Sequence, residues 1–292
     1  MIIDAHNHPD WWGKDYDQVI ADMDACQIDK TWLLTWECPE DEYDPEQCWC
    51  WNEDLGTKGT YPAAFARCLA YKRKSPDRFI LGFAPDPRHP TAIDRLQAAI
   101  DLYHVRLCGE IKLRMMYDNP DALDLFRFCA KKELPVTLHL DYPIDTGVRY
   151  PRRSWWYGGN METLEHVLKS CPDTIFLGHA PGFWSNISDD EQKYTTAYPA
   201  GKVVREGKIV KLLRKYPNLY CDISARSGRN AFERDREYAV EFMDEFQDRI
   251  LYARDHFDNL HQELINSLPL TQEIREKIYW KNASRLLKND LS

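Results

Sequence analysis

The sequence predicts an α/β protein of the (β/α)8 TIM-barrel class. Three observations carry that expectation. Short apolar runs of strand character alternate with amphipathic helical patterns along the whole chain, which implies a parallel sheet with crossovers of one hand. The strand-like runs number eight, and the chain of 292 residues suits one barrel of about 250 residues with insertions. Neither Gly-x-Gly-x-x-Gly after the first strand nor a phosphate-binding Gly-Lys-Ser occurs, which argues against an open, doubly wound sheet. No linker composition interrupts the alternation, so residues 1–292 are expected to form a single domain.

The elements follow in order. MII leads into the first strand, and DYDQVIADMDAC places Val19, Ile20, Met23 and Cys26 at helical spacing. KTWLLTW is the second strand, ending at Trp36, and a polar, aromatic stretch runs on to about residue 60. A helix from Pro62 to Lys74 leads to the third strand, RFILGFAPDP, and TAIDRLQAAIDLY turns Ile93, Leu96 and Ile100 to one face. CGEIKLRM is the fourth strand. Asn119 and Pro120 then supply an N-cap and a first helical residue. LPVTLHLDYP is the fifth strand and precedes a helix capped by Asn160; DTIFLGHAPG is the sixth and precedes GKIVKLLRKYP. NLYCDIS is the seventh, followed by REYAVEFMDEF; RILYARD is the eighth, and two helices close the chain.

Bulk composition excludes several roles. Hydrophobic residues make up 43 % and charged residues 29 %, ordinary for a globular chain. A net charge of −9 speaks against a nucleic-acid surface. No run of apolar residues is long enough to span a membrane, and the N-terminus lacks the pattern of a signal peptide. Nine cysteines in no framework spacing fit a reducing, cytoplasmic setting. The one close pair, Cys48 and Cys50, has the wrong spacing for a zinc knuckle and no partner pair.

The polar residues collect at one end of the strands. His6 and His8 stand two apart at the end of strand one, so the period of two sends them to one face. His139 ends strand five beyond Thr137, His179 ends strand six beyond Leu177, and Asp255 ends strand eight beyond Leu251 and Ala253. In a barrel these positions lie at the C-terminal mouth, where active sites sit. The remaining histidines, His89, His104, His166 and His261, fall in turns or helices and are read as structural; His256, next to Asp255, points the other way on a strand and is read as structural too, with a place at the border of the mouth left open.

On IDAHNH at strand one, LPVTLHLD at strand five, IFLGHAPG at strand six, ILYARDHF at strand eight and EKIYWKNASRLL in the closing helix, the chain resembles the amidohydrolase superfamily, in particular its amidohydrolase-2 branch. The likeness runs in order through the whole chain. It departs where the branch has Gly-Thr/Ser-Asp and this chain has Ala253-Arg254-Asp255. The resemblance implies a metal-dependent barrel enzyme with His6, His8, His139 and Asp255 as ligands to one divalent ion. Three imidazoles and a carboxylate suit Zn²⁺ best, with Mn²⁺ as another option. A water on such an ion ionises near neutral pH, and Asp255 would accept its proton and pass it to the leaving group. His179 would polarise the substrate oxygen that becomes negative. Some binuclear relatives carry a carboxylated lysine on strand four; here Lys112 is expected to pair with Glu110 or to meet an acidic substrate, with a single ion.

Three functions follow. The first is hydrolysis of a small-molecule lactone or amide. The second is non-oxidative decarboxylation of a cyclic or aromatic acid, an activity found in the same branch. The third is a non-catalytic barrel that keeps the metal site. The mouth loops carry Trp11, Trp12, Trp36, Trp49, Trp51, Trp155, Trp156 and Trp184 with Arg149, Arg152, Arg153, Arg226 and Arg254. Indoles offer flat apolar area, and guanidinium groups hold carboxylates in a bidentate grip. The expected ligand is therefore small, anionic and ring-bearing, contacted by Arg226, Trp36, Lys112, Arg254 and Trp184. Neither a nucleic acid nor a membrane is expected as partner, and a homo-oligomer is left open.

Overall fold

The computed structural model describes residues 1–39, 42, 63–141 and 156–291. All eight expected strands form: β1 (Ile3–Asn7), β2 (Lys30–Leu33), β3 (Phe79–Leu81), β4 (Cys108–Ile111), β5 (Val136–His139), β6 (Phe176–His179), β7 (Leu219–Asp222) and β8 (Ile250–Leu251). They pair in parallel, in chain order, as ladders β1-β2-β3 and β4-β5-β6-β7-β8. Backbone hydrogen bonds close both seams. Between β3 and β4, Arg106 N donates to Leu81 O at 2.9 Å and Phe83 N to Leu107 O at 3.1 Å. Between β8 and β1, Ala5 N donates to Tyr252 O at 3.0 Å and Asp255 N to His6 O at 2.9 Å. The ring is a barrel.

Two apolar layers follow from the alternation of side chains. Ile3, Ala5, Trp32, Leu34, Ile80, Leu107, Leu177, Leu251 and Ala253 fill the barrel below the mouth, with Ala283 and Leu287 of the closing helix packed on them. Cys108, Val136, Leu138, Phe176 and Cys221 point outward into the core shared with the helices. Removing each large side chain from water contributes about 1.5–3 kcal/mol. The alternation breaks twice, at register shifts between Asp4 and Asn7 in β1 and between Cys108 and Ile111 in β4. Gly109 lies inside the second shift, where a Cβ would come within 2.9 Å of Thr137 Cβ, so the close approach of β4 to β5 needs a glycine there.

The helices surround the ring: α1 (Tyr16–Ala25), α2 (Phe65–Lys74), α3 (Ala92–Tyr103), α4 (Pro120–Lys131), α5 (Met161–Ser170), the single turn α6 (Pro181–Trp184), α7 (Lys208–Lys215), α8 (Ala225–Glu233), α9 (Arg236–Glu245), α10 (Leu260–Ser267), α11 (Gln272–Glu276) and α12 (Asn282–Leu286). Asn119 and Asn160 cap α4 and α5 through their side chains, as expected. The second helix starts at Phe65 rather than Pro62. The last of the two expected closing helices is interrupted by a π-turn over Lys277–Lys281. Asn282 then donates to Gln247 O at 2.7 Å and Ile250 O at 2.8 Å, which ties the tail to β8. Among the described residues no helix is long and apolar enough to cross a membrane. Cys48, Trp49, Cys50, Trp51, Arg149, Arg152, Arg153 and Trp155 lie outside the described residues.

Candidate metal centre

The mouth of the barrel gathers imidazoles and carboxylates from six strands. Each of three imidazoles is oriented through one nitrogen. His6 Nδ1 donates to Asp222 Oδ2 on β7 at 2.6 Å, and His8 Nδ1 donates to Leu34 O at 2.9 Å. His179 Nδ1 is bonded to Ser224 Oγ at 2.8 Å. On His6 and His8 a pure acceptor at the outer nitrogen fixes the tautomer and leaves the Nε2 lone pair toward the centre, the arrangement that metal-binding histidines require. The Ser224 hydroxyl can donate or accept, so it orients His179 and leaves Nε2–H open to it. Asp255 reaches the same space from β8, its Oδ1 3.7 Å from His8 Nε2 and its Oδ2 4.0 Å from His179 Nε2.

A further carboxylate stands among them. Glu110 of β4 is buried, and its Oε1 accepts from His139 Nδ1 at 2.6 Å. The same oxygen lies 3.5 Å from His179 Nε2, while Oε2 lies 3.5 Å from His8 Nε2 and 3.9 Å from His6 Nε2. Among the described residues three groups have donor atoms close enough together for one ion: His6, His8 and Asp255; Glu110, His139 and His179; and His6, His179 and Asp222. His139 therefore joins Glu110 and His179, not the group formed by the other three expected ligands. Lys112 does not pair with Glu110. Its Nζ lies over the Trp36 ring, 4.1 Å from the centroid, and 5.4 Å from that of Tyr157.

The charges are strongly coupled. Burial works against a charge on His6, but Asp222, with Glu110 and Asp255, outweighs it and raises the imidazole to about 10. Burial likewise opposes ionisation of Asp222 and Glu110, yet the surrounding histidines hold both well below the usual carboxylate range. His139 goes the other way: burial, helped by the nearby Lys112 charge, pushes it down to about 3.

Whether a divalent ion fits is decided by unpartnered polar atoms. His6 Nε2 and Asp255 Oδ1 are buried with no hydrogen-bond partner among the described residues. A buried polar atom left unpaired is costly. Both belong to the group completed by His8, so nitrogen and oxygen donors of the type that suit Zn²⁺ or Mn²⁺ converge where satisfaction is missing. Asp255 also sits in the left-handed region, at φ 50°. Its backbone is held from both sides: its N–H bonds His6 O, and its O accepts from Trp11 Nε1 at 2.9 Å. Such strain persists only where the surroundings over-determine it.

The expected ligand contacts divide. Arg226, in the first turn of α8, is exposed, and its guanidinium stacks 4.3 Å over Tyr198. Trp36 is buried beside Lys112 and donates Nε1–H to Lys112 O at 2.8 Å. Two expectations are corrected. Arg254 is fully buried and clamped by Asp4 Oδ2 at 2.9 Å and Asp22 Oδ2 at 2.8 Å, on the side of the strand opposite Asp255. Trp184 packs among Phe183, Phe232 and Phe242, and its Nε1 donates to Asp222 O at 2.9 Å. Both side chains support the structure around the centre instead of facing a ligand.

A parallel eight-stranded barrel with histidines and carboxylates converging at its C-terminal mouth defines a class of metal-dependent enzymes. The sequence profile of the amidohydrolase family matches residues 57–288, and the chain belongs to that metal-dependent family. The first strand, with His6 and His8, lies before the matched segment. Sequence comparison with curated proteins gives no match. Among solved structures, the chain is similar to an uncharacterised TIM-barrel protein from Bordetella bronchiseptica, with 17 % identity over 98 % of both chains and a TM-score of 0.65. It is also similar to a dihydroxybenzoic acid decarboxylase from Polaromonas sp. with bound manganese and the inhibitor 2-nitroresorcinol. That match has 17 % identity, covers 98 % of this chain and 96 % of the other, and has a TM-score of 0.61. A third is a probable 2-pyrone-4,6-dicarboxylic acid hydrolase from Acinetobacter baumannii with citric acid bound, at 12 % identity over 98 % and 99 % of the chains, with a TM-score of 0.58.

Proposed function

We propose that the protein is a metal-dependent hydrolase of a lactone or amide bond in a small, anionic, ring-bearing substrate. The observation that carries the metal reading is the pair of buried, unpartnered atoms, His6 Nε2 and Asp255 Oδ1, in the group completed by His8. These three residues would hold one divalent ion, Zn²⁺ by donor type, while His139 stands with Glu110 and His179 beside them. When bound, the ion supplies Lewis acidity that draws hydroxide from water near neutral pH. Asp255 keeps one oxygen toward the open mouth, where it takes up that proton and returns it to the leaving oxygen or nitrogen. His179, steadied by Ser224, presents Nε2–H to the oxygen on which negative charge develops. Arg226 receives an anionic group of the substrate.

Non-oxidative decarboxylation is the second reading. It draws on Lys112, a cation with no carboxylate in ion-pair range among the described residues, placed beside His139. A carboxylate held there would sit next to the centre, and Asp255 would carry the proton to carbon.

A metal-replete activity panel tests both. Lactones and amides are set beside aromatic acids, and hydrolysis and CO₂ release are followed separately. About one ion per chain is expected, with His6→Ala and Asp255→Ala losing ion or turnover. Metal-free protein purified without chelator, with both variants fully active, overturns the reading. CO₂ release without hydrolysis replaces the first reaction by the second.

A further inference from the structure

Around the mouth, some of the described basic side chains have a carboxylate of their own. Arg67 pairs with Asp10 at 2.5 Å and Arg88 with Asp86 at 2.8 Å. Lys112 and Arg226 differ. Neither has a carboxylate within ion-pair distance among the described residues, and each rests on aromatic faces instead, Lys112 on Trp36 and Tyr157, Arg226 on Tyr198. An aromatic face holds a cation in place without neutralising it, so its charge stays available to a ligand.

Their places in the ring make them a pair. Lys112 directly follows β4, and Arg226 stands in the first turn of α8, four residues beyond the end of β7. Strands β5 and β6 lie between these two in the sheet, and they end in His139 and His179. Neighbouring strands are about 4.8 Å apart, so three spacings set the ends of β4 and β7 about 14 Å apart along the sheet. Both side chains are long and can shorten that span. A ligand touching both cations must lie across the strand ends that carry the two histidines. Tyr157 lines the Lys112 end of this track, its ring 5.3 Å from that of His139.

We propose that the substrate carries two anionic groups, one received by Lys112 and the other by Arg226, with the reacting bond between them over His139 and His179. The inference deepens the metal-dependent reading above and rests on it. A single carboxylate would leave one of the two cations without a counter-charge in the complex.

The test is calorimetric titration of the metal-loaded protein with benzoate, the three benzenedicarboxylates and adipate. At least one dicarboxylate should bind about tenfold more tightly than benzoate, the scale of one added charge-assisted contact. Lys112→Met and Arg226→Met should each abolish that preference, and Lys112→Arg, which keeps the charge, should retain it. Dicarboxylates that all bind no more tightly than benzoate overturn the inference, as does a preference that survives in both methionine variants. Elemental analysis of the same samples separates the failures. An ion-loaded protein indifferent to the second carboxylate refutes only the dianion, whereas a protein that takes up no ion refutes the metal reading first.

Discussion

Asp222 offers a sharp test of how the centre is held. It is completely buried, and so is His6, whose Nδ1 it accepts at 2.6 Å. Its other oxygen accepts from Ser224 N at 2.7 Å and lies 3.7 Å from His179 Nδ1. Asp222→Asn preserves shape. If its amide oxygen stays on Ser224 N, its NH₂ faces His6 Nδ1. The imidazole must then accept there, which moves its own proton to Nε2 and closes the lone pair an ion needs. A hydrogen bond to a charged group contributes about 1.5–3 kcal/mol net, and about 1.4 kcal/mol is tenfold in an equilibrium constant. The expected loss in metal affinity is therefore roughly 10- to 100-fold, the scale seen when such supporting partners are removed. Chelator competition at pH 7.5, with circular dichroism to confirm folding, measures it. A dissociation constant within about twofold of the parent would refute the tautomer argument.

His179→Asn should retain the ion while kcat falls by about 10²–10³, the usual effect of losing one donor to a developing oxyanion; ion loss in step with activity would make His179 a ligand. Arg254→Met should destabilise the fold by about 3–5 kcal/mol, because it leaves Asp4 buried without its cation; urea unfolding with a loss under about 1 kcal/mol refutes the clamp. His261 is buried on α10, bonded to Ala225 O at 3.0 Å, and burial, against the opposing pull of Asp258, lowers it from 6.5 to about 4. The unfolded chain binds this proton below pH 6.5 and the folded chain only near 4, so its contribution is constant above 6.5 and is lost as pH falls between the two values. The loss is at most about 3 kcal/mol. His261→Gln should flatten the acid limb of the stability curve, and an unchanged difference between pH 7 and pH 4.5 refutes the assignment.

Much of the barrel is legible because strand period and helix period differ, and because caps such as Asn119 and Asn160 are local. The gathering of His6, His8, His179 and Asp255 is legible for the same reason: each ends a strand, and parallel strands in a closed ring bring their ends together. Glu110 was not legible as part of the cluster. Alternation sets it with Cys108, which faces the helices, and only the register shift before Ile111 turns it inward among the imidazoles. It looked like a partner for Lys112 because the two share a parity, but beyond Ile111 the chain leaves the ladder and the lysine goes to Trp36. Arg254 failed for the opposite reason. Strict alternation holds at β8, so a residue next to an inward Asp255 must face outward, and Asp4 and Asp22 wait for it there. A strand-end position alone does not make a side chain a ligand contact.

The seam between β8 and β1 joins the two ends of the chain's own order. Asn7 Nδ2 reaches His256 O across 249 positions, beside the residues proposed to share an ion. During synthesis His6 and His8 emerge before the rest of the barrel, and Asp255 follows only when nearly every other strand exists. The centre therefore cannot assemble piecemeal; it reports that the ring has closed. An ion that binds only the closed ring would also lock the seam, adding stability that grows with the logarithm of its free concentration. Ion starvation would then loosen the first strand from the last before it disturbed the ladder from β4 to β7, and hydrogen exchange at Ala5 and Asp255 would record that order.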